Sequence, residues 1–337
     1  MLNNGDIKCR LVESRIGYLD AIKCLGIILV IEGHVRGYGM NMGAYDSLSS
    51  LMLYSFNMPM FFFVSGLLAY KVQDYALKKI VQHSFKKFVC LVLPTLFFFI
   101  FRTLLLQKSP LDLFKNGFGG YWFTITLWEC FMIYYMLLLL FKKSSILDML
   151  LIILALTGLF FLSVFSEYGP KLLDINRLTK YFHFFVWGVL SMKYKIVYEK
   201  LMNCEWLKMI AIVGFFGILV TVYYGSLPAF VFHFLRDIVL RYFGLFVVIS
   251  WFACHAEFFN SSTSYNKIIL GIGRKSLPFY LLQYFFLPDL HYMDGVDVIT
   301  THIISFTYTF IILVVCSVFI SLLSNSKIIK RYVLGQK

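Results

Sequence analysis

Ten apolar stretches, each long enough to cross a bilayer and joined by short loops, leave this chain few folds other than a bundle of membrane helices. They run approximately from Leu19 to Tyr38, Leu48 to Tyr70, Phe88 to Leu106, Gly120 to Phe141, Ile146 to Phe165, Leu178 to Tyr194, Trp206 to Tyr224, Val231 to Cys254, Ile268 to Leu287, and Ile303 to Ser324. Lipid offers the backbone no hydrogen-bond partner, so each segment must satisfy its own amides as a helix. The expected fold is an all-α integral membrane protein with about ten transmembrane helices in one bundle. The whole of 1–337 forms a single domain, with a short tail over 1–17 and a basic tail over 325–337. Charged residues make up 15% of the chain, against about 25% in soluble domains. The sixth stretch is short and the ninth carries Arg274, Lys275 and Pro278, so these are the two expected to tilt, break or re-enter.

The net charge of +13 raises nucleic acid as a partner, and its distribution answers otherwise. With the N-terminus in the cytoplasm, 21 Lys and Arg fall on the cytoplasmic side, against 6 on the other face: Arg36, Lys108, Lys115, Lys171, Arg177 and Lys180. Lys23, Arg102, Arg236 and Arg241 fall within spans. That asymmetry follows the positive-inside rule, with both termini cytoplasmic, and it explains the charge without DNA or RNA. The first apolar segment lacks a small-residue cleavage site and is expected to stay in the protein. The seven cysteines show no metal or disulfide spacing, so no metal is expected. Any chemistry belongs within the bundle or at its mouths.

Three ionisable residues in the first stretch need a reason. Lys23 and His34 are eleven positions apart, about three helical turns with roughly 20° left over, so they leave one helix face about 16 Å apart along the axis. Asp20 shares that face and can pair with Lys23 at i,i+3. Such groups cost on the order of 2.5–3.5 kcal/mol each at bilayer depth and usually face a bundle interior or wet cavity. A neutral imidazole near the outer end can act as a general base toward a hydroxyl, with any orienting group supplied by another helix. Glu32, about 200° around the helix, is a poor candidate for that role. The competing assignment has Lys23 snorkelling inward and His34 as an interfacial residue. In the second stretch Pro59 frees a carbonyl one turn earlier, giving a kinked, cavity-lining helix with Asn57 and Ser65 as polar groups. Ser65-Gly66 permits close helix approach, and a packing kink alone would account for the same pattern.

Together these segments resemble the membrane acyltransferase-3 family, ten-helix O-acyltransferases of surface polysaccharides and related acceptors. Leu19-Asp20, Lys23 and His34 fill the family's first-span pattern of an Ile-Asp-type pair, a basic residue, and His after ten further residues. Phe56-Asn57-Met58-Pro59-Met60-Phe61-Phe62-Phe63-Val64-Ser65-Gly66 is similar to its second span. Further matches are the basic loop at Lys86-Lys87-Phe88 running on to Pro94, Tyr121-Trp122-Phe123, and Gly273-Arg274-Lys275-Ser276-Leu277-Pro278-Phe279-Tyr280. Asn57 and Gln283 stand where many members have His; both keep hydrogen bonding and lose titration, which leaves His34 as the base.

The resemblance implies an acyl-CoA donor, most often acetyl-CoA, used as a substrate rather than a tightly bound cofactor. Lys23, Lys78, Lys79, Lys86 and Lys87, with Arg274 and Ser276, are then candidates for holding CoA; the loop lysines also fit ordinary positive-inside charge. His34, with Lys23 and Asp20, carries the chemistry, as general base or as transient acyl acceptor. Asn57, Ser65, Tyr121, Trp122, Tyr280 and Gln283 are candidates for contacting the acceptor, although aromatic residues at this depth also form an interfacial belt. The expected partners are the lipid bilayer and a glycan or lipid-linked glycan, in the bacterial inner membrane. Two readings from other classes compete. A lipid-linked glycan flippase would use the intramembrane charges for substrate or ion coupling, and a glycan polymerase would want a larger outer loop than the one around Ser166 to Lys180.

Overall fold

The computed structural model describes residues 17–43, 46–70, 77–109, 117–140, 145–165, 175–291 and 297–336. Nearly all of the predicted tail over 1–17, and much of the outer segment from Ser166, lie outside them. Among the described residues the regular structure is helical throughout, without strands. In chain order the helices are α1 (Gly17–His34), α2 (Leu48–Ala69), α3 (Leu77–Lys87), α4 (Leu93–Leu105), α5 (Trp122–Leu140), α6 (Ser145–Phe165) and α7 (Ile175–Lys193). They continue as α8 (Lys195–Met202), α9 (Glu205–Tyr224), α10 (Ala229–Phe234), α11 (Leu240–Cys254), α12 (Ala256–Asn260), α13 (Ser264–Arg274), α14 (Ser276–Leu282) and α15 (Val298–Leu323).

Six described helical stretches are long and apolar enough to cross a membrane: Leu48–Ala69, Leu77–Leu105, Gly119–Leu139, Glu205–Tyr224, Ala229–Cys254 and Val298–Leu323. Two of these contain a π-helical turn that joins shorter helices: Phe88–Val92 links α3 to α4, and Leu235–Val239 links α10 to α11. Four other predicted spans fall on α1, α6, α7 and the stretch from α13 to α14. The last of these is broken, because Pro278 has no amide to offer the Arg274 carbonyl, and Lys275 takes φ −101°, ψ 16° between the two helices.

Where helices touch, small residues set the distance. A side chain at Gly66 of α2 would collide with the Phe185 carbonyl of α7, and one at Gly188 of α7 with the Phe63 carbonyl of α2. The two backbones therefore meet face to face, as apolar helices in lipid do when packing rather than water drives association. Around this pair the interior is aromatic: Phe62, Phe63, Phe182, Phe184 and Phe185 are fully buried. Val213 and Phe216 of α9 and Ile303 and Phe310 of α15 point outward, as a lipid-facing surface requires.

Glu32 of α1 and Arg36, in the π-helical turn that follows it, mark the side turned toward α15. Both are almost wholly buried, 3.8 Å apart, and Ser305 donates to Glu32 at 3.0 Å. His302 lies 3.6 Å from the same carboxylate. Glu32 is thus committed to α15 and faces away from His34.

Candidate active site

Asp20 anchors the lower end of the site. Its carboxylate, 2% exposed as a residue, pairs with Lys23 at 2.6 Å and with Arg274 at 3.3 Å. Arg274 reaches it because Gly273 lets α13 lie directly on the α1 backbone: a Cβ there would overlap the Asp20 carbonyl. One carboxylate shared by two cations leaves Lys23 held in place and still electropositive.

Above this pair lies a cavity of about 160 Å³. Lys23, Lys87, Ser65 and Ser276 give it polar lining, and Ile27, Val30, Met58, Phe61, Leu127 and Tyr280 are among its remaining walls. Five segments far apart in sequence meet here. Met58, Phe61 and Ser65 face the cavity from α2, a continuous helix with Pro59 inside it, and Lys87 precedes the π-helical turn Phe88–Val92, a local distortion common at functional sites. The Lys87 ammonium also sits 3.6 Å from the Phe131 ring centroid.

His34 ends α1 and is followed by a second π-helical turn, Val35–Gly39. Its ring lies 4.9 Å from Tyr284, 5.4 Å from Tyr38 and 6.5 Å from Tyr280, centroid to centroid. Tyr280 thus belongs both to the cavity wall and to the histidine's surroundings. His34 Nε2 is 3.3 Å from the Tyr284 hydroxyl. That hydroxyl donates to the Gly120 carbonyl at 2.6 Å, and Tyr280 donates to the same carbonyl at 2.5 Å. With its proton on Gly120, the Tyr284 oxygen accepts from Nε2–H. The lone pair then falls on Nδ1, which is buried. Gly120 is required at this point, since a Cβ there would press on the Tyr284 ring at 2.7 Å. Gln283 is fully buried, donates to the Tyr280 carbonyl at 3.0 Å and faces the imidazole.

The other predicted residues are spread more widely. Tyr121 is buried against Tyr284, ring centroids 4.7 Å apart, and its hydroxyl donates to the Leu281 carbonyl at 3.3 Å. Trp122 stacks on Tyr181 at 5.3 Å. Asn57 is buried with its Oδ1 2.6 Å from the Met58 amide, a local contact outside the cavity lining. Lys78, Lys79 and Lys86 lie on the exposed flank of α3, because the packing of α3 against α5 turns Lys87, and not these three, toward the bundle. The sequence reading passed over Tyr284 and Arg102, whose guanidinium lies 5.2 Å from the Tyr284 ring centroid. The available signals were a charge inside a span and a tyrosine one turn beyond Tyr280.

A family model described as an acyltransferase domain, that of the membrane acyltransferase-3 family, matches residues 16–325. The chain belongs to the membrane acyltransferase-3 family. No curated protein and no solved structure matches it. In this membrane acyltransferase, the matched region takes in α1 through α15 and every residue of the cavity and of the His34 cluster.

Proposed function

We propose that this acyltransferase moves an acyl group, most often acetyl, from acyl-CoA to a hydroxyl of a bacterial surface polysaccharide or its lipid-linked precursor. The observation that carries this reading is the continuous path from Lys23 and Lys87, through the cavity, to the Tyr280 wall beside His34. The two lysines and the serines Ser65 and Ser276 suit the polar donor arm, and the apolar walls suit the acyl group. Phosphates of CoA are matched by Lys23 and Lys87 at the lower end. The charge bias of the loops assigns that end to the cytoplasm, where acyl-CoA is made, and the His34 end to the outside.

In this mechanism His34 Nδ1 takes the proton of the acceptor hydroxyl as its oxygen bonds to the thioester carbonyl carbon. Tyr284 holds Nε2–H, and the Gln283 Oε1 faces the imidazolium that forms. Collapse of the tetrahedral intermediate breaks the C–S bond, and the thiolate leaves with the proton that His34 had taken, so no net proton is released. Arg102, beside Tyr284, supplies positive charge near the developing oxyanion.

O-acetyl content of purified surface polysaccharide, measured by NMR in wild-type and deletion cells, tests the reaction. Acetyl signals should vanish on deletion, and unchanged acetylation would overturn the reading. In purified protein, Lys87→Gln should raise KM for acetyl-CoA about 10-fold or more, the worth of one charge-assisted hydrogen bond, with kcat little changed. An unaltered donor KM would remove Lys87 from donor binding.

A further inference from the structure

A second cluster of charge lies at the His34 end of the bundle, on the other side of Trp122. Asp237, in the π-helical turn Leu235–Val239, meets three cations. Lys180 and Arg241 share its Oδ1, each at 3.1 Å, and Arg236 Nη2 lies 2.6 Å from Oδ2. His233 stands 3.7 Å from the same carboxylate. Among the described residues Asp237 is the one acid that pairs with this set. Arg241 is 6% exposed, yet its Nη1 is buried without a hydrogen-bond acceptor. A guanidinium is a planar fork made for two acceptors, and here one prong is used.

The aromatic surroundings connect this cluster to the candidate active site. Arg241 lies 5.5 Å from the Tyr181 ring centroid, and Tyr181 is stacked between Phe62 at 4.8 Å and Trp122 at 5.3 Å. The Arg177 guanidinium lies 4.8 Å from the Trp122 ring centroid. The residue before Trp122 is Tyr121, which packs on Tyr284 and so on His34. Charge bias assigns this end to the face with few basic residues, where cations without a task are disfavoured. A buried arginine prong without an acceptor, beside a half-exposed lysine, suits an oxyanion.

We infer that Lys180 and Arg241, ordered by Asp237, form an anion subsite for the acceptor, which therefore carries a carboxylate or phosphate close to the hydroxyl that is acylated. This rests on the acyltransferase reading above and adds the chemical class of the acceptor: an acidic glycan.

The test is equilibrium binding to the full-length protein in phosphatidylcholine nanodiscs, without acyl-CoA. Two matched probe pairs are used: a glucuronic acid tetrasaccharide with its carboxyl-reduced counterpart, and a phosphodiester-linked oligosaccharide with its dephosphorylated form. At least one acidic probe should bind about 10-fold tighter than its neutral partner, the worth of one charge-assisted contact. Lys180→Gln, at a half-exposed position that leaves Asp237 paired with Arg236 and Arg241, should erase that difference. Arg241→Lys, which keeps the charge and loses the fork, should reduce it. Equal affinity within both pairs, or an undiminished preference in both variants, would show a purely structural ion cluster and overturn the inference. Loss of the preference when phosphatidylglycerol replaces phosphatidylcholine would assign the anion to lipid and overturn it as well. Because no donor is present, the two ideas fail separately. Charge-selective binding with no acyl transfer from acetyl-CoA sinks the proposed reaction, and transfer to an acceptor bound without charge preference sinks the subsite.

Discussion

His34→Ala is expected to abolish O-acetylation of the surface polysaccharide while leaving the protein folded in the membrane. General base catalysis contributes about 10²–10⁴-fold to rate. Among the described residues no second imidazole stands in the cluster to replace it, and Gln283, which faces His34, does not titrate. The fold should survive, since His34 is only partly buried and ends its helix, and Tyr38, Tyr280 and Tyr284 stay packed on one another and on Gly120. NMR of the polysaccharide, at verified equal membrane expression, provides the readout. Full acetylation in His34→Ala cells would remove His34 as the base even if the deletion abolishes the signal. Tyr284→Phe provides a graded comparison: it keeps the ring and loses the hydroxyl that orients Nε2, so its rate should fall between those of wild type and His34→Ala.

Gly273→Val is expected to disable the protein through its structure. The α-carbon of Gly273 lies on the Asp20 carbonyl, so any added side chain meets backbone rather than a flexible neighbour. Overpacking of this kind costs typically about 1–3 kcal/mol, occasionally more, and here α13 must move away from α1. Arg274 would then lose Asp20, leaving a buried carboxylate with less compensation beside Lys23. The expected result is a lower melting midpoint by fluorescence-detected size exclusion and loss of acetyl transfer together. Gly271→Val, two residues away where an added Cβ meets nothing within 4 Å, should behave nearly as wild type. Equal stability of the two variants would show that α13 does not need its close seat on α1.

Much of this was legible along the chain because membrane helices are determined locally. Lipid forces each apolar segment to satisfy its own backbone, so segment length and apolar character predict helices where α2, α5, α9 and α15 are found. Helical periodicity alone places Asp20, Lys23 and His34 on one face. Pro278 acts within a single turn, so the broken ninth span could be anticipated from sequence, whereas α2 runs on unbroken through Pro59. Lys78, Lys79 and Lys86 illustrate the limit. Their composition matches that of Lys87, and only the packing of α3 against α5 determines which lysine enters the cavity. Tyr284, Arg102 and Gly120 illustrate it again, because their meeting with His34 joins positions more than fifteen residues apart in every pairing. An all-helical membrane bundle, the family, and one polar face on the first helix could be read along the chain. What that face looks upon came from helix packing: a cavity between two lysines and a tyrosine, and a hydroxyl that orients the imidazole, with a buried arginine prong without an acceptor beyond Trp122. The physical reason is range. Backbone satisfaction and side-chain period act within a few turns, whereas a site is made by side chains that close helix packing brings together from distant parts of the chain.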